Sequence, residues 1–315
     1  VINIAIDEKS PHTGKHCERV PVLTMMLAEA ANHCTEGIWA PFHLNDNELY
    51  ELKIASLLHD CGKVTTPEHI IDKSTKLETI HDRIHELDAR FAVLRQSALI
   101  AHMQGKLSAD AYQNTLQQLA ADRQFLHTTN LGGEFMSAEK QARVRQLATQ
   151  TWENAEGILV PLLSAEECEQ LCIARGTLSA AERQVINNHI VATLRMLEAL
   201  PWPKHLKHVP EYAGGHHERM DGKGYPRGLT REQMSLQARM MGIADIFEAL
   251  TAADRPYKSG MTLSQAIAIM CRMRDNGHID PDLFALFLSS GQAAATFATL
   301  NIAGTADHVV ASPRL

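Results

Sequence analysis

Asn45-Asp46-Asn47-Glu48-Leu49-Tyr50-Glu51-Leu52-Lys53-Ile54-Ala55-Ser56-Leu57-Leu58-His59-Asp60-Cys61-Gly62-Lys63 is the stretch that sets the fold class. Asn45, with Glu48 three residues on, is a capping pair able to satisfy the free N–H groups of a helix start. Leu49, Leu52 and Ser56 then lead by helical steps to His59. Gly62 is a residue at which a left-handed helix end is cheap. The spacing predicts a helix that carries an adjacent His59-Asp60 pair to its C-terminal end, with Lys63 just beyond Gly62. An isolated His-Asp pair is weak evidence of chemistry, and its weight depends on company elsewhere.

Working outward, the other long signals are helical too. Ser179-Ala180-Ala181-Glu182 is a second capping box, and the helix it opens carries Val185, Ile186, Ile190, Leu194 and Leu197 until Pro201 stops it. A third helix is expected from about Leu236 to Ala252, with Pro256 beyond. Residues 1–6 alternate weakly, and nothing later has the period-2 pattern of a strand. Ile84, Leu87, Phe91, Leu94, Ala98 and Ala101 recur in steps of three and four. After Gly105 and Ser108 the pattern restarts at Tyr112, Leu116, Leu119, Arg123 and Leu126. That reads as a helical hairpin over 82–128, closed on itself by a narrow seam. An all-α protein is the expectation.

Composition agrees. The 315 residues are 45% hydrophobic and 21% charged, an ordinary globular balance, and only 5% aromatic. That length suits two domains or one large one. A formal charge of -7 argues against a nucleic-acid polymer as partner. No apolar run approaches the ~20 residues that span a bilayer. Six cysteines, with no C-x-x-C pair, read as free thiols of a reducing cytoplasm. The opening Val1-Ile2-Asn3 has neither Met nor a leader pattern, which reads as the C-terminal part of a longer chain.

The unusual count is 17 histidines. About half would be a surface scatter, and a single histidine on an apolar helix face is most often a satisfied core residue. Four positions ask for more. His189 sits on the apolar face of its helix. His216-His217 is a second adjacent pair, after Gly214-Gly215. Asp245 stands mid-helix beside Met241, Ala244 and Ala249, where an unpaired carboxylate is costly. One partner would satisfy all of these with His59-Asp60: a divalent metal cluster. Imidazole and carboxylate without thiolate suit iron or manganese better than structural zinc.

With those residues assembled, a resemblance is plain. His59-Asp60-Cys61-Gly62-Lys63 resembles the HD-x-G-K signature of the HD superfamily of metal-dependent phosphohydrolases. His216-His217-Glu218-Arg219-Met220-Asp221-Gly222-Lys223-Gly224-Tyr225-Pro226 resembles the HHExxDGxGYP signature of its HD-GYP subfamily. Ile243-Ala244-Asp245-Ile246-Phe247-Glu248-Ala249-Leu250-Thr251 is similar to the metal-Asp helix that follows. The likeness covers about residues 10–80 and 175–290.

The resemblance implies an all-helical bundle and hydrolysis of a bacterial cyclic dinucleotide, cyclic di-GMP first and 3′3′-cyclic GMP-AMP as the alternative. A non-catalytic module that binds a nucleotide or a partner is the reading from another class. It also implies the ligand set His16, His59, Asp60, His189, His216, His217 and Asp245, with Asp60 bridging two metals. His12 occupies the place where three-metal relatives carry Glu, so two ions are expected and a third is the alternative. Two metals can hold a hydroxide at neutral pH and neutralise a phosphate as charge builds. Lys63 would contact a non-bridging phosphate oxygen, with an exposed helix-end lysine as its bland reading. Asp221 would orient the loop or relay a proton, although a turn-forming Asp-Gly is equally consistent. By the same resemblance, Tyr225 would contact substrate, and Arg255 and Lys258 would clamp the second phosphate.

The expected catalytic domain is thus residues 1–81 and 175–290, with a helical insertion at 82–174. A tail over 291–315 is expected to lack fixed order. The insertion would be packing, a lid or a homodimer contact, and Trp152, Gly132-Gly133-Glu134-Phe135 and Ile158–Leu163 suggest that its second half packs on the catalytic body. An upstream sensor domain would belong to the longer chain.

Overall fold

The computed structural model describes residues 11–252 and 260–291, with side chains from His16 onward. In chain order, helices α1 (Pro11–His33), α2 (Asp46–Leu58), α3 (Glu68–Ile71), α4 (Ile84–Met103), α5 (Ala109–Asn130) and α6 (Ala138–Ala148) lead to a small antiparallel ribbon. The ribbon is β1 (Thr151–Glu153) and β2 (Leu159–Pro161), with Trp152 opposite Val160. Then follow α7 (Ala165–Leu171), α8 (Ala180–Asn187), α9 (His189–Glu198) and α10 (Val209–Gly214). Finally come α11 (Leu236–Thr251), α12 (Leu263–Asp275) and α13 (Pro281–Ser289). The fold is all-α. Three-residue strands are too short to leave a period in the sequence, so the ribbon went unanticipated. Residues 1–6 and the tail beyond Gly291 lie outside the described residues.

The chain divides into two compact units, one built from the segments up to Thr66 and from Ile186 onward, the other from Pro67–Val185. In the first unit, α1 runs through Pro21 without a break, so His16 is inside the helix. Helix α2 opens on the expected reciprocal cap: Asn45 Oδ1 accepts from the Glu48 amide and Glu48 Oε2 accepts from the Asn45 amide at 2.9 Å. It ends at Leu58, earlier than Gly62, and Cys61–Thr65 continues as a 3-10 turn. Adjacent side chains stand about 100° apart on an α-helix, and the change of winding turns His59 and Asp60 toward one point.

The predicted single helix after Ser179 is two. Ser179 and Glu182 form their box, but Asn188 separates α8 from α9. The Ile186 carbonyl, which a continuing helix would give to an amide, instead accepts from the His189 ring at 2.5 Å. Leu27, Leu52, Phe247 and Phe284 are fully buried in this unit's core, each contributing roughly 1.5–3 kcal/mol of burial. The backbones close tightly beneath the site. Gly62 N donates to Thr193 Oγ1 at 2.8 Å, and a Cβ on Gly62 would lie 2.0 Å from the His189 carbonyl oxygen.

The second unit is built on α4 and α5, an antiparallel hairpin turned at Gly105 with φ +70°. Asp88 ties its arms, accepting from Arg123 and His127 at 2.7 Å each. The seam is not self-contained. Leu87, Phe91 and Leu126 share one buried cluster with Val144, Leu147, Leu162, Leu163 and Leu171, and Trp152 packs against it. Trp152, Leu162 and Leu163, expected on the catalytic body, pack on the hairpin. Those side chains complete the base of the hairpin, where its own large residues outgrow a two-helix seam. Phe135 and Ile158 are exposed. Lys76, fully buried, donates to the Leu171 and Ile173 carbonyls at 3.0 and 2.9 Å, so its ammonium satisfies the open C-terminal end of α7. No disulfide joins any of the six cysteines. Among the described residues, no helix is long and apolar enough to cross a membrane.

Candidate metal centre

Five elements deliver the ligand candidates. His16 comes from α1, His59 and Asp60 from the end of α2, His189 from the first turn of α9, and Asp245 from the middle of α11. His216 and His217 follow directly on α10, after Gly214 and Gly215. A Cβ on Gly214 would sit 2.4 Å from the Leu194 side chain, and one on Gly215 would sit 2.8 Å from Ala238 Cβ. Only glycines let α10 settle this close to α9 and α11.

The side chains form two donor sets that share one carboxylate. Ligand atoms of His16, His59 and Asp60 lie within 4.8 Å of one another, as do those of Asp60, His189, His216 and His217. Asp60 Oδ2 faces His16 Nε2 and His59 Nε2, both at 3.3 Å. Asp60 Oδ1 faces His189 Nε2 at 3.1 Å. Asp245 closes the other side, 3.0 Å from His16 Nε2 and 4.0 Å from His217 Nδ1. The pairwise distances are those of groups converging on common points.

The tautomers follow from the outer nitrogens. His59, His189 and His216 each direct Nδ1 at the carbonyl three residues back, Ser56, Ile186 and Ala213, at 2.7, 2.5 and 2.7 Å. Only an N–H can donate there, so each Nε2 turns a lone pair inward. His189 Nε2 and Asp60 Oδ1 then face each other at 3.1 Å without a proton between them. Among the described residues, Asp60 Oδ1 and His216 Nε2 have no hydrogen-bond partner although both are buried. Orphaned acceptors in a buried site are costly, and a divalent cation resolves all of them at once. The donors are of the kind that hold divalent cations.

Electrostatics point the same way. Burial and the neighbouring His59 push His216 down to about 4. Burial and His216 likewise hold His217 well below its ordinary range. These imidazoles are neutral, as metal ligands must be. Burial acts to raise Asp245 and Asp60, but His16 beside the first, and Lys63 with His59 beside the second, hold both well below the usual carboxylate range. Burial acts to lower His16, but Asp245, Asp60 and Glu248 around it raise it well above its ordinary range; the other imidazoles and the two carboxylates present lone pairs and anionic oxygen.

The remaining candidates are placed as follows. Lys63 Nζ donates to Asp60 Oδ2 at 2.5 Å and keeps a fifth of its side chain exposed. Tyr225 stacks on His217 with ring centres 4.9 Å apart. The Asp221 carboxylate is taken by the Arg219 guanidinium at 3.0 and 2.8 Å and by the Lys223 amide at 3.1 Å. It forms the turn and is not among the residues brought together at the centre. The His12 side chain and Arg255 and Lys258 lie outside the described residues.

Three residues to which the sequence reading gave no role belong to the site's frame. Glu248, fully buried, accepts from His16 Nδ1–H and from Arg19 Nε, the latter at 2.7 Å. The signal was the matched spacing: His16 and Arg19 on α1 face Asp245 and Glu248 on α11, each pair at i,i+3. Glu218 is buried, and its two oxygens accept from the Arg227 amide at 2.7 Å and the Leu229 amide at 2.9 Å. It braces the loop that carries Tyr225. Glu218→Gln would turn an N–H against one of those amides, at a cost of about 1–3 kcal/mol. The expected result is unchanged metal content with faster protease cutting between residues 222 and 229. Cutting at the wild-type rate would show that the carboxylate does not hold the loop.

Comparison with known proteins bears on this geometry. Residues 13–140 match a family described as HD domain, and residues 164–283 match a second one of the same description. Over 112 residues the chain is 41% identical to 3′3′-cGAMP-specific phosphodiesterase 3 of Vibrio cholerae, covering 35% of this chain and 23% of that protein. Over 75 residues it is 49% identical to a cyclic di-GMP phosphodiesterase of Pseudomonas aeruginosa, covering 24% of this chain and 17% of that protein. A cyclic di-GMP phosphodiesterase of Thermotoga maritima is 33% identical over 98 residues, 31% of this chain and 26% of that protein. The chain thus spans about a quarter or less of the length of these relatives. The first match contains His16, His59 and Asp60, the second contains His189, His216, His217 and Asp245, and Asp60 joins the two sets in space. The chain belongs to the HD-domain family, as a protein of the HD-GYP type.

Proposed function

We propose that this chain is a metal-dependent phosphodiesterase that hydrolyses a bacterial cyclic dinucleotide, with cyclic di-GMP as first substrate. The observation that carries the reading is Asp60, one buried carboxylate whose two oxygens each face a separate set of inward-turned histidines. His16 and His59 would hold one ion and His189, His216 and His217 the other, with Asp245 beside both sets. Bound divalent ions would supply Lewis acidity toward a phosphodiester and lower the pKa of a water; iron or manganese suits these donors.

The chain's own residues do the rest. The histidines that donate outward to fixed carbonyls hold their lone pairs in place before any ligand arrives, which spares reorganisation during the reaction. Tyr225, stacked on His217, places an aromatic face beside the centre for a nucleobase or ribose. Lys63, on the exposed side of Asp60, is positioned for a non-bridging phosphate oxygen. Hydrolysis of 3′3′-cyclic GMP-AMP is the second reading, supported by the Vibrio relative.

The test is metal analysis of the purified chain, with chromatography of its products from both cyclic dinucleotides. An intact centre with no turnover of either would overturn the catalytic reading. Lys63→Ala separates binding from chemistry: metal content should hold while turnover falls about a hundredfold, an oxyanion-type contribution of ~2–4 kcal/mol. A variant that loses its ions would make Lys63 a support of Asp60 instead.

A further inference from the structure

His16 differs from the other inward-turned histidines in what stands behind it. His59, His189 and His216 donate Nδ1–H to backbone carbonyls, which nothing but a change of fold can remove. His16 donates instead to a side chain, Glu248, whose other oxygen is occupied by Arg19. The ring's Nε2 faces Asp60 and Asp245, and Nδ1 faces Glu248.

We infer that Glu248, clamped by Arg19, is a positioning residue that sets the His16 tautomer and so decides whether the His16 side of the centre takes up its ion. This rests on the reading of His16, His59 and Asp60 as ligands. A carboxylate accepts from both flanking donors, so Nδ1 keeps its proton and Nε2 keeps its lone pair. A carboxamide has one acceptor for the same two donors. With the Arg19 guanidinium taking the amide oxygen, the amide nitrogen would face Nδ1 and select the opposite tautomer, in which Nε2 carries the proton. A protonated Nε2 cannot ligate. The other set, including Asp60 through Oδ1, has no contact with Glu248 among the described residues, so it should be untouched.

Glu248→Gln tests this in two readouts. In metal-free protein with 15N-labelled histidine, long-range 1H–15N spectra, taken at a pH where the same spectra show a neutral ring, should show a larger share of the His16 Nδ1–H tautomer in wild type than in the variant, because Asp60 and Asp245 face Nε2 in both. In calorimetric titration with Mn2+, wild type should bind two ions, and the variant should keep one affinity while the other falls about 10- to 100-fold, the usual loss for a partner behind a ligating histidine. Adding Arg19→Met to Glu248→Gln frees the amide oxygen for Nδ1–H and should restore most of the lost affinity, which a merely structural role would not do.

Arg19→Met alone keeps the carboxylate and its bond to Nδ1, and serves if Glu248→Gln does not fold. It should retain the wild-type tautomer and weaken the same single ion severalfold. An unchanged tautomer with both affinities unchanged in Glu248→Gln, or unchanged affinities in Arg19→Met, overturns the inference. Failure of wild type to bind Mn2+ would instead overturn the ligand reading, and the tautomer spectrum would still decide the role of Glu248.

Discussion

Asp60→Ala is expected to reduce the proposed phosphodiesterase turnover by at least a thousandfold and to remove metal from both donor sets. The scale follows from the geometry. Both oxygens of this side chain face ligand nitrogens, at 3.1 Å on one side and 3.3 Å on the other, so one substitution strips a ligand from each ion. A thousandfold is about 4 kcal/mol of transition-state stabilisation, less than two lost metal contacts would withdraw. The fold should survive. Asp60 has few packing atoms, but Lys63 Nζ donates to its Oδ2, and its carboxyl is held well below the usual range, so the ionised side chain stabilises the metal-free fold at neutral pH. Metal-free variant should therefore melt somewhat below metal-free wild type while still folding, whereas the rise in melting temperature on adding Mn2+ should vanish. Retention of both ions with near-normal turnover would sink the bridging assignment.

Gly62→Ala is expected to have the largest effect on stability, without touching a ligand. Its Cβ would lie 2.0 Å from the His189 carbonyl oxygen and 2.5 Å from the Thr193 amide nitrogen. Both are backbone atoms at the start of α9, so no side chain can swing aside and the helix must move. Overpacking in a rigid core commonly costs about 1–3 kcal/mol; a clash with two main-chain atoms belongs above that, at roughly 4 kcal/mol or more. The thermal midpoint should fall by about 8–16 °C, and the displaced His189 should lose its ion. Gly105→Ala is the control, at a hairpin turn with φ +70° and nothing within 4 Å of the new Cβ. It should cost only about 1–2 kcal/mol. Circular dichroism melts decide the matter; a Gly62→Ala midpoint within a degree or two of wild type would refute the close-approach account.

What could be read in advance follows from where each signal resides. Helix starts were legible because a cap is a local pact between residues three apart, as at Asn45–Glu48 and Ser179–Glu182. The early stop of α2 at Leu58 and the break at Asn188 were not. Both are imposed by the centre itself, which twists His59 and Asp60 together and takes the Ile186 carbonyl for a ring. The ligand candidates announced themselves as polar residues on apolar faces, the anomaly that burial costs make informative. Glu248 and Arg19 stayed hidden because each looks ordinary on its own helix, and only the packing of α1 on α11 makes them partners. Misreading the seam of α4 and α5 as self-sufficient had a similar cause, since a heptad pattern does not show how much of a wide side chain is left uncovered.

The hydrogen bond from Gly62 to Thr193 joins positions 131 apart in the chain, and that separation governs the order of assembly. Contacts inside the α4–α5 hairpin are local and form on the microsecond scale, whereas the bond beneath the centre must wait for a long loop to close. During synthesis at about 5–20 residues per second, His59 and Asp60 emerge roughly 6–26 seconds before His189 exists. One donor set is thus born alone. In that interval His16, His59 and Asp60 stand without the ligands that lie on and after α9, so Asp60 gains its second donor set only once α9 docks on the Gly62 turn.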